Sequence, residues 1–200
     1  MRIAIKLGLA ALLLGAFVLA PAAGRAAEKK EAEGVKVGDK APTFEATDDQ
    51  GKTWKSGDHV GKKFVVIYFY PADFTGGCTK QACAFRDAGD KLTDKGIEVI
   101  GVSGDSAKNH ELFKKHHKLN FTLLADEDGA LAKKFGVPLR DPKGGKSKVP
   151  DSDIEIKQGV RIARWTVVID KDGKVIHKAE VKDVEKDPMT VLEVIEKAGK

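Results

Sequence analysis

Hydrophobic and polar positions alternate along this chain with two different periods, and the switches between them mark out its elements. The run KFVVIYFY (63–70) is continuously apolar, β-branched and aromatic. That is the pattern of a central strand covered on both faces, and Pro71 ends it. IEVIGVS (97–103) and FTLLAD (121–126) repeat the pattern as two more buried strands. Between strands the period lengthens. Cys78, Ala82, Phe85, Gly89 and Leu92 follow at steps of four, three, four and three, which puts them on one face of a helix over 78–92. SAKNHELFKKHHKL (106–119) is helical with Ser106 as N-cap, and ALAKKFGV (130–137) is a short helix stopped by Gly136 and Pro138. APTFEATDDQGKTWKSGD (41–58) alternates around Asp49-Gln50-Gly51 and predicts a hairpin. RWTVVIDKDGKVIHKAEV (164–181) predicts another, turning at Lys171-Asp172-Gly173. A last helix follows in DPMTVLEVIEKAGK, with Asp187 as N-cap and Pro188 at its first position. The stretch RDPKGGKSKVPDSDIEIKQG (140–159) shows no convincing period and reads as a long loop. Strands and helices that alternate, then close with a hairpin and a helix, predict an α/β fold: a mixed central sheet flanked by helices.

The N-terminus has another character. Residues 1–27 carry Arg2 and Lys6, an apolar run from Leu7 to Ala20, and small residues from Pro21 to Ala27. These are the three regions of a secretory signal peptide, cleavable after Ala22, Ala26 or Ala27. An uncleaved anchor is the alternative, because the apolar run nearly spans a thin bilayer. No cysteine follows the run, which argues against a lipoprotein. The expectation is export to the periplasm, with residues 28–36 a flexible charged lead-in and 37–200 a single domain. Removing residues 1–27 takes away Arg2, Lys6 and Arg25 and no acid, so the net charge falls from +5 to +2. The basic pI is therefore no argument for nucleic acid. The remaining lysines lie scattered among acids, as on a solvated surface.

Candidate chemistry gathers in YPADFTGGCTKQACAFRD (70–87), which holds both cysteines of the chain. Cys78 and Cys83 are five apart, too far for a CxxC redox motif and unlike any common zinc pattern. A structural disulfide closing so short a loop would remove little chain entropy, which favours a working pair. Cys78 follows a buried strand, a Pro-led loop and two glycines, and it starts a helix. The open amides and positive potential at a helix start lower a thiol pKa. A fall from about 8.5 to about 6 would raise the thiolate fraction at pH 7 from roughly 3% to roughly 90%. In an intact helix, residues five apart have Cα atoms roughly 8–9 Å apart and point about 140° away from each other. A disulfide needs Cα atoms within about 7 Å. Cys78 and Cys83 can thus bridge only if the first turns unwind, which suits a two-step reaction. The first thiol attacks an oxidant such as a peroxide and becomes a sulfenic acid, the helix opens, and the second thiol condenses with it. A fixed cation would polarise the peroxide, and Arg86, Arg161 and Arg164 are the candidates that sequence alone does not separate. Thr75 offers a hydroxyl beside the sulfur.

Pro71 to Cys78 resembles the PxxxTxxC motif of peroxiredoxins, and CTKQACAFRD is similar to the helix of the Q-type, or bacterioferritin-comigratory, subgroup. The likeness runs over most of residues 35–200, through VGDKAPTFEATDDQGK, VIGVSGDS and RWTVVIDKDGKV. It implies a thioredoxin-like fold and a thiol peroxidase that needs no cofactor. Its substrates would be hydrogen peroxide and organic hydroperoxides, and a thioredoxin-like dithiol donor would recycle it. By the same likeness Cys78 is the peroxidatic cysteine and Cys83 the resolving one, joined as an intramolecular disulfide. Thr75 contacts the peroxide, Pro71 shields the sulfur, and Arg164, just before TVVID, completes the site. The subgroup leans toward monomers. One departure stands out: Gly76 occupies the position where the subgroup usually has proline.

Other readings are blander. His110 and His117 share a helical face with Phe113 between them, too long a step for one metal ion, and read with His116 as a solvated face. Asp170, Asp172 and Gly173 make a turn, and Asp126 to Asp128 a strand-to-helix connection. Trp54 and Trp165 read as core or rim packing. Two rival functions are a thiol–disulfide oxidoreductase, which the missing CxxC opposes, and a non-catalytic module on the same fold.

Overall fold

The computed structural model describes residues 34–199; the expected signal peptide at 1–27 and most of the lead-in lie outside the described residues. Strands β1 (Glu45–Asp48) and β2 (Thr53–Lys55) form the first hairpin, and β3 (Phe64–Phe69) leads into helix α1 (Gly76–Asp87) and α2 (Gly89–Asp94). Then come β4 (Ile97–Ser103), α3 (Ala107–His117), β5 (Thr122–Ala125) and α4 (Ala130–Lys134). Four short strands follow, β6 (Leu139–Asp141), β7 (Gly145–Lys148), β8 (Glu155–Gln158) and β9 (Arg161–Ile162). The hairpin β10 (Trp165–Ile169) and β11 (Val175–Glu180) and helix α5 (Asp187–Ala198) complete the fold.

Seven strands make one mixed sheet in the order β11-β10-β3-β4-β5-β1-β2. Its centre, β3-β4-β5, is parallel, and β10 and β1 border it antiparallel. Because side chains alternate across a strand, β3 serves two cores. Val65, Ile67 and Phe69 pack with Leu131, Ala132 and Phe135 around α4. Val66 and Tyr68 pack with Cys78, Phe85, Phe113, Val191 and Ile195 from α1, α3 and α5. Cys78 is thus rooted in the larger helical layer, packed against β3.

Three elements differ from the sequence expectation. The helix over 78–92 breaks at Ala88, between α1 and α2. There the Asn120 amide donates to the Arg86 carbonyl at 3.2 Å and sits 2.4 Å from where a side chain at Gly89 would begin. A side chain at 89 would displace Asn120, so glycine is what lets the two close on each other. The stretch 140–159 is not a loop. β6 pairs with β9, and β7 pairs with β8 over four residue pairs from Gly145↔Gln158 to Lys148↔Glu155. Only Val149, Ile156 and Gln158 are buried across 145–158, so the period of two is written in polar residues and carries little hydropathy signal. Asp187 is the first residue of α5 rather than its cap, which is Lys186. Its carboxylate turns inward and is buried.

Candidate active site

Strand β3 delivers the chain into the site. Tyr70 extends it by one rung, its amide donating to Val102 O at 3.0 Å, before half-buried Pro71 turns the chain out of the sheet. Ala72 and Asp73 are buried beneath the bend. Phe74 takes a left-handed backbone, φ 55°, which costs a bulky residue about 1 kcal/mol. Its ring is held edge-on to Phe113 at 5.1 Å and against His116 and His117 at 5.8 Å. Thr75 is extended (φ −100°, ψ 145°) and precedes α1, but its side chain caps no amide. Instead Thr75 Oγ1 donates to Ala72 O at 3.1 Å and closes the bend on itself. Gly76, Gly77 and Cys78 are then the first three helical residues, whose N–H groups lack partners within the helix.

Cys78 is 1% exposed and is a free thiol. Of the three arginines the sequence offered, Arg164 reaches it: Nη2 donates to Cys78 Sγ at 3.1 Å. Its other arm, Nη1, donates to Gln81 Oε1 one turn along α1. Gln81 Nε2 donates in turn to Asp187 Oδ2 at 2.7 Å, and Thr166 Oγ1 donates to the same oxygen at 2.8 Å. Burial pushes the Asp187 carboxyl up, against the hydrogen bonds from Gln81 and Thr166. The guanidinium is therefore oriented from α1, β10 and α5 together. Arg161 instead donates to Gln158 Oε1 at 3.0 Å. Arg86 donates to Asp87 and to the His117 carbonyl, at 2.8 Å and 2.7 Å. Asp87's hydrogen bond, and behind it the Cys83 sulfur, hold Arg86 above the ordinary arginine value. Cys83 is a second free thiol, partly exposed, on the same unbroken helix as Cys78. The two thiols are held apart, Cys78 beside Arg164 and Cys83 beside Arg86.

The sequence pattern of the AhpC/TSA family matches residues 37–178. The chain belongs to the AhpC/TSA family. It is 45% identical to wheat (Triticum aestivum) chloroplastic peroxiredoxin Q, over 80% of this chain and 67% of that protein. It is 40% identical to peroxiredoxin Bcp of Bacillus subtilis strain 168, over 74% of this chain and 89% of that one. Among solved structures it is similar to the bacterioferritin comigratory protein of Xanthomonas campestris, with a TM-score of 0.64 and 27% identity. That match covers 78% of this chain and 92% of that protein, whose structures address alkyl peroxide reduction activity. The fold is thioredoxin-like, and the chain is a thiol peroxidase of the peroxiredoxin Q/Bcp group.

This peroxiredoxin carries more behind its motif than the motif shows. His110 is not on a solvated face: it is fully buried, with Nδ1 2.8 Å from Asp73 Oδ2. Its neighbour Phe113 on the same face was the signal, since that side chain is fully buried too. Tyr70 Oη donates to Asp73 Oδ1 at 2.8 Å. Asp105 Oδ2 accepts from the Asp73 amide and from Ser103 Oγ, both at 2.8 Å. Gln158 of β8 donates to the Asp73 carbonyl at 2.9 Å, so the unforeseen hairpin is tied to the cysteine loop. Burial disfavours a charge on His110, yet the Asp73 carboxylate outweighs it and holds the ring above its ordinary 6.5. Burial, and then the Asp73 charge, push Asp105 up.

Proposed function

We propose that this peroxidase reduces hydrogen peroxide and organic hydroperoxides through a sulfenic acid on Cys78 that Cys83 resolves. The Cys78 thiolate attacks the terminal peroxide oxygen, the O–O bond breaks, and the departing oxygen takes up a proton as water or alcohol. Cys78 is left as S–OH. The Arg164 fork stabilises negative charge first on the sulfur and then on the leaving oxygen, a fixed cation in a buried site. Thr75, whose hydroxyl stands at the mouth of α1, hydrogen-bonds the bound peroxide, and Pro71 limits water at the sulfur. The first turns of α1 then unwind, the Cys83 thiol attacks Cys78 sulfur, and one water leaves as the disulfide forms. A thioredoxin-like dithiol donor returns both thiols by exchange. The monomeric protein acts in the periplasm, to which residues 1–27 export it.

The observation that carries this reading is the contact of Arg164 Nη2 with Cys78 Sγ at 3.1 Å, with a second free thiol five residues on. Intact mass after one equivalent of hydrogen peroxide tests it. The wild type loses two hydrogens, and the Cys83→Ser variant gains one oxygen on Cys78. Unchanged masses in both would refute the assignment.

A further inference from the structure

Asp73 is held at each of its polar atoms. Its amide donates to Asp105 Oδ2 at 2.8 Å, and its carbonyl accepts from Gln158 Nε2 at 2.9 Å. Its Oδ1 accepts from Tyr70 Oη and its Oδ2 faces His110 Nδ1, both at 2.8 Å. Asp73 and His110 are both 0% exposed. The other ring nitrogen of His110, Nε2, lies 3.2 Å from the Leu124 carbonyl oxygen. A carbonyl oxygen has no proton to give, so Nε2 donates to it. With Asp73 ionised, Nδ1 donates as well, and His110 is then an imidazolium. The groups that face it are Asp73 from the loop, Tyr70 from the end of β3 (3.4 Å to Nδ1), the Leu124 carbonyl from β5, and Asp105 from the β4–α3 turn. Asp105 is itself bound by Ser103 and by Asn109 Nδ2. Two buried carboxylates share one buried cation.

The hydrogen bonds of these groups run to one another and to the loop, whereas the sulfur's runs to Arg164. These groups lie under the loop that carries the sulfur, and Asp73 stands two residues before Thr75. The backbone of the next residue is held far more weakly, although its ring packs on Phe113: Phe74 has a left-handed φ, and its carbonyl meets Ser147 Oγ only at 3.4 Å. A chain pinned at Asp73 and strained at Phe74 has a defined place to let go.

From this geometry we propose that Asp73 and His110 are positioning residues of the peroxidase reaction. Their ion pair fixes residues 71–75 so that Thr75 and Cys78 meet the peroxide, and it makes Phe74 the hinge when α1 unwinds. The proposal rests on the Cys78–Cys83 cycle above. Loss of the pair slows attack on peroxide, which needs the ordered loop, and does not slow disulfide formation, which needs its release.

Rapid mixing separates the two steps in the wild type and in His110→Asn, over about pH 5 to about pH 9. The variant is expected to react with peroxide about ten- to a hundredfold more slowly, the loss that follows from a misplaced reacting group. Its disulfide forms at the wild-type rate or faster. The wild-type peroxide rate falls at the alkaline end as His110 gives up its proton, and the variant lacks that fall. Equal slowing of both steps, or wild-type rates and pH profile in the variant, overturns the proposal. Should His110→Asn not fold, the ¹⁵N signals of the His110 ring in the wild type decide. Two protonated nitrogens at neutral pH bear the proposal out, and one refutes it. A wild type that consumes no peroxide would refute the cycle itself and the proposal with it, whereas a working wild type beside an unaltered variant removes the positioning role alone.

Discussion

The site depends on one side chain reaching two partners at once. Arg164 touches Cys78 Sγ with one arm of its fork and Gln81 Oε1 with the other, and Gln81 is fixed from behind by buried Asp187. A lysine keeps the charge but has a single head that cannot hold both contacts in a plane. Arg164→Lys is therefore expected to slow sulfenic acid formation by about a hundredfold, the scale of losing one transition-state donor. Rapid-mixing rates check this; an unslowed variant would mean that charge alone suffices. The motif residues were legible because their chemistry is local: Pro71, Thr75, Cys78 and Cys83 lie within thirteen positions. The choice among Arg86, Arg161 and Arg164 was not legible from spacing, since it depends on which strand end meets α1. Resemblance supplied Arg164, whose Nη2 lies 3.1 Å from Cys78 Sγ. Asp187 shows the opposite failure: its place before Pro188 signalled a cap, yet its oxygen is committed to Gln81 and Thr166. Local propensity yielded there to a tertiary partner.

At the scale of an element, the proposed cycle asks α1 to be stable enough to hold Cys78 beside Arg164 and weak enough to open. Gly76 is its first residue, preceded by an extended Thr75 (φ −100°, ψ 145°). The first position of a helix accepts proline, whose missing N–H would have had no partner, and an extended residue before it suits the ring. A Cβ at Gly76 would meet nothing within 4 Å. Gly76→Pro should therefore stabilise the folded loop by about 0.4–1 kcal/mol, chiefly by restricting the unwound chain. The expected outcome is slower disulfide formation, by about two- to fivefold, with the peroxide step as fast or faster. Time-resolved mass spectrometry of the sulfenic and disulfide forms reads both; a faster disulfide step would show that Gly76 matters to the folded state instead. The strands and helices with strong apolar periods were legible for the same reason that they are stable. The β7–β8 hairpin was not, because buried Ile156 and Gln158 alternate with exposed Glu155 and Lys157 too briefly to register as a strand.

Across the whole molecule, the buried charges give stability a pH dependence whose sign is set by geometry. His110 is held above the ordinary 6.5 by Asp73, so the folded chain binds that proton more tightly than the unfolded chain. Its contribution is complete below about 6.5 and is lost as pH rises through the folded value. Asp105, Asp126 and Asp187, pushed up mainly by burial, carry the same sign from 3.8 upward. His117 and His177 are pushed down by burial and carry the opposite sign, but their window closes at 6.5. Above that pH the raised His110 still lowers stability as pH rises, while Lys178, pushed down by burial, carries the opposite sign up to 10.5. The urea midpoint of the reduced protein should fall as pH rises from neutral to alkaline, and His110→Asn should lower the midpoint and flatten the fall. Parallel curves for the two proteins would mean that His110 is buried neutral. On the proposed cycle the same proton serves two ends: it secures the loop that follows β3, and through that loop the thiol assigned to meet peroxide.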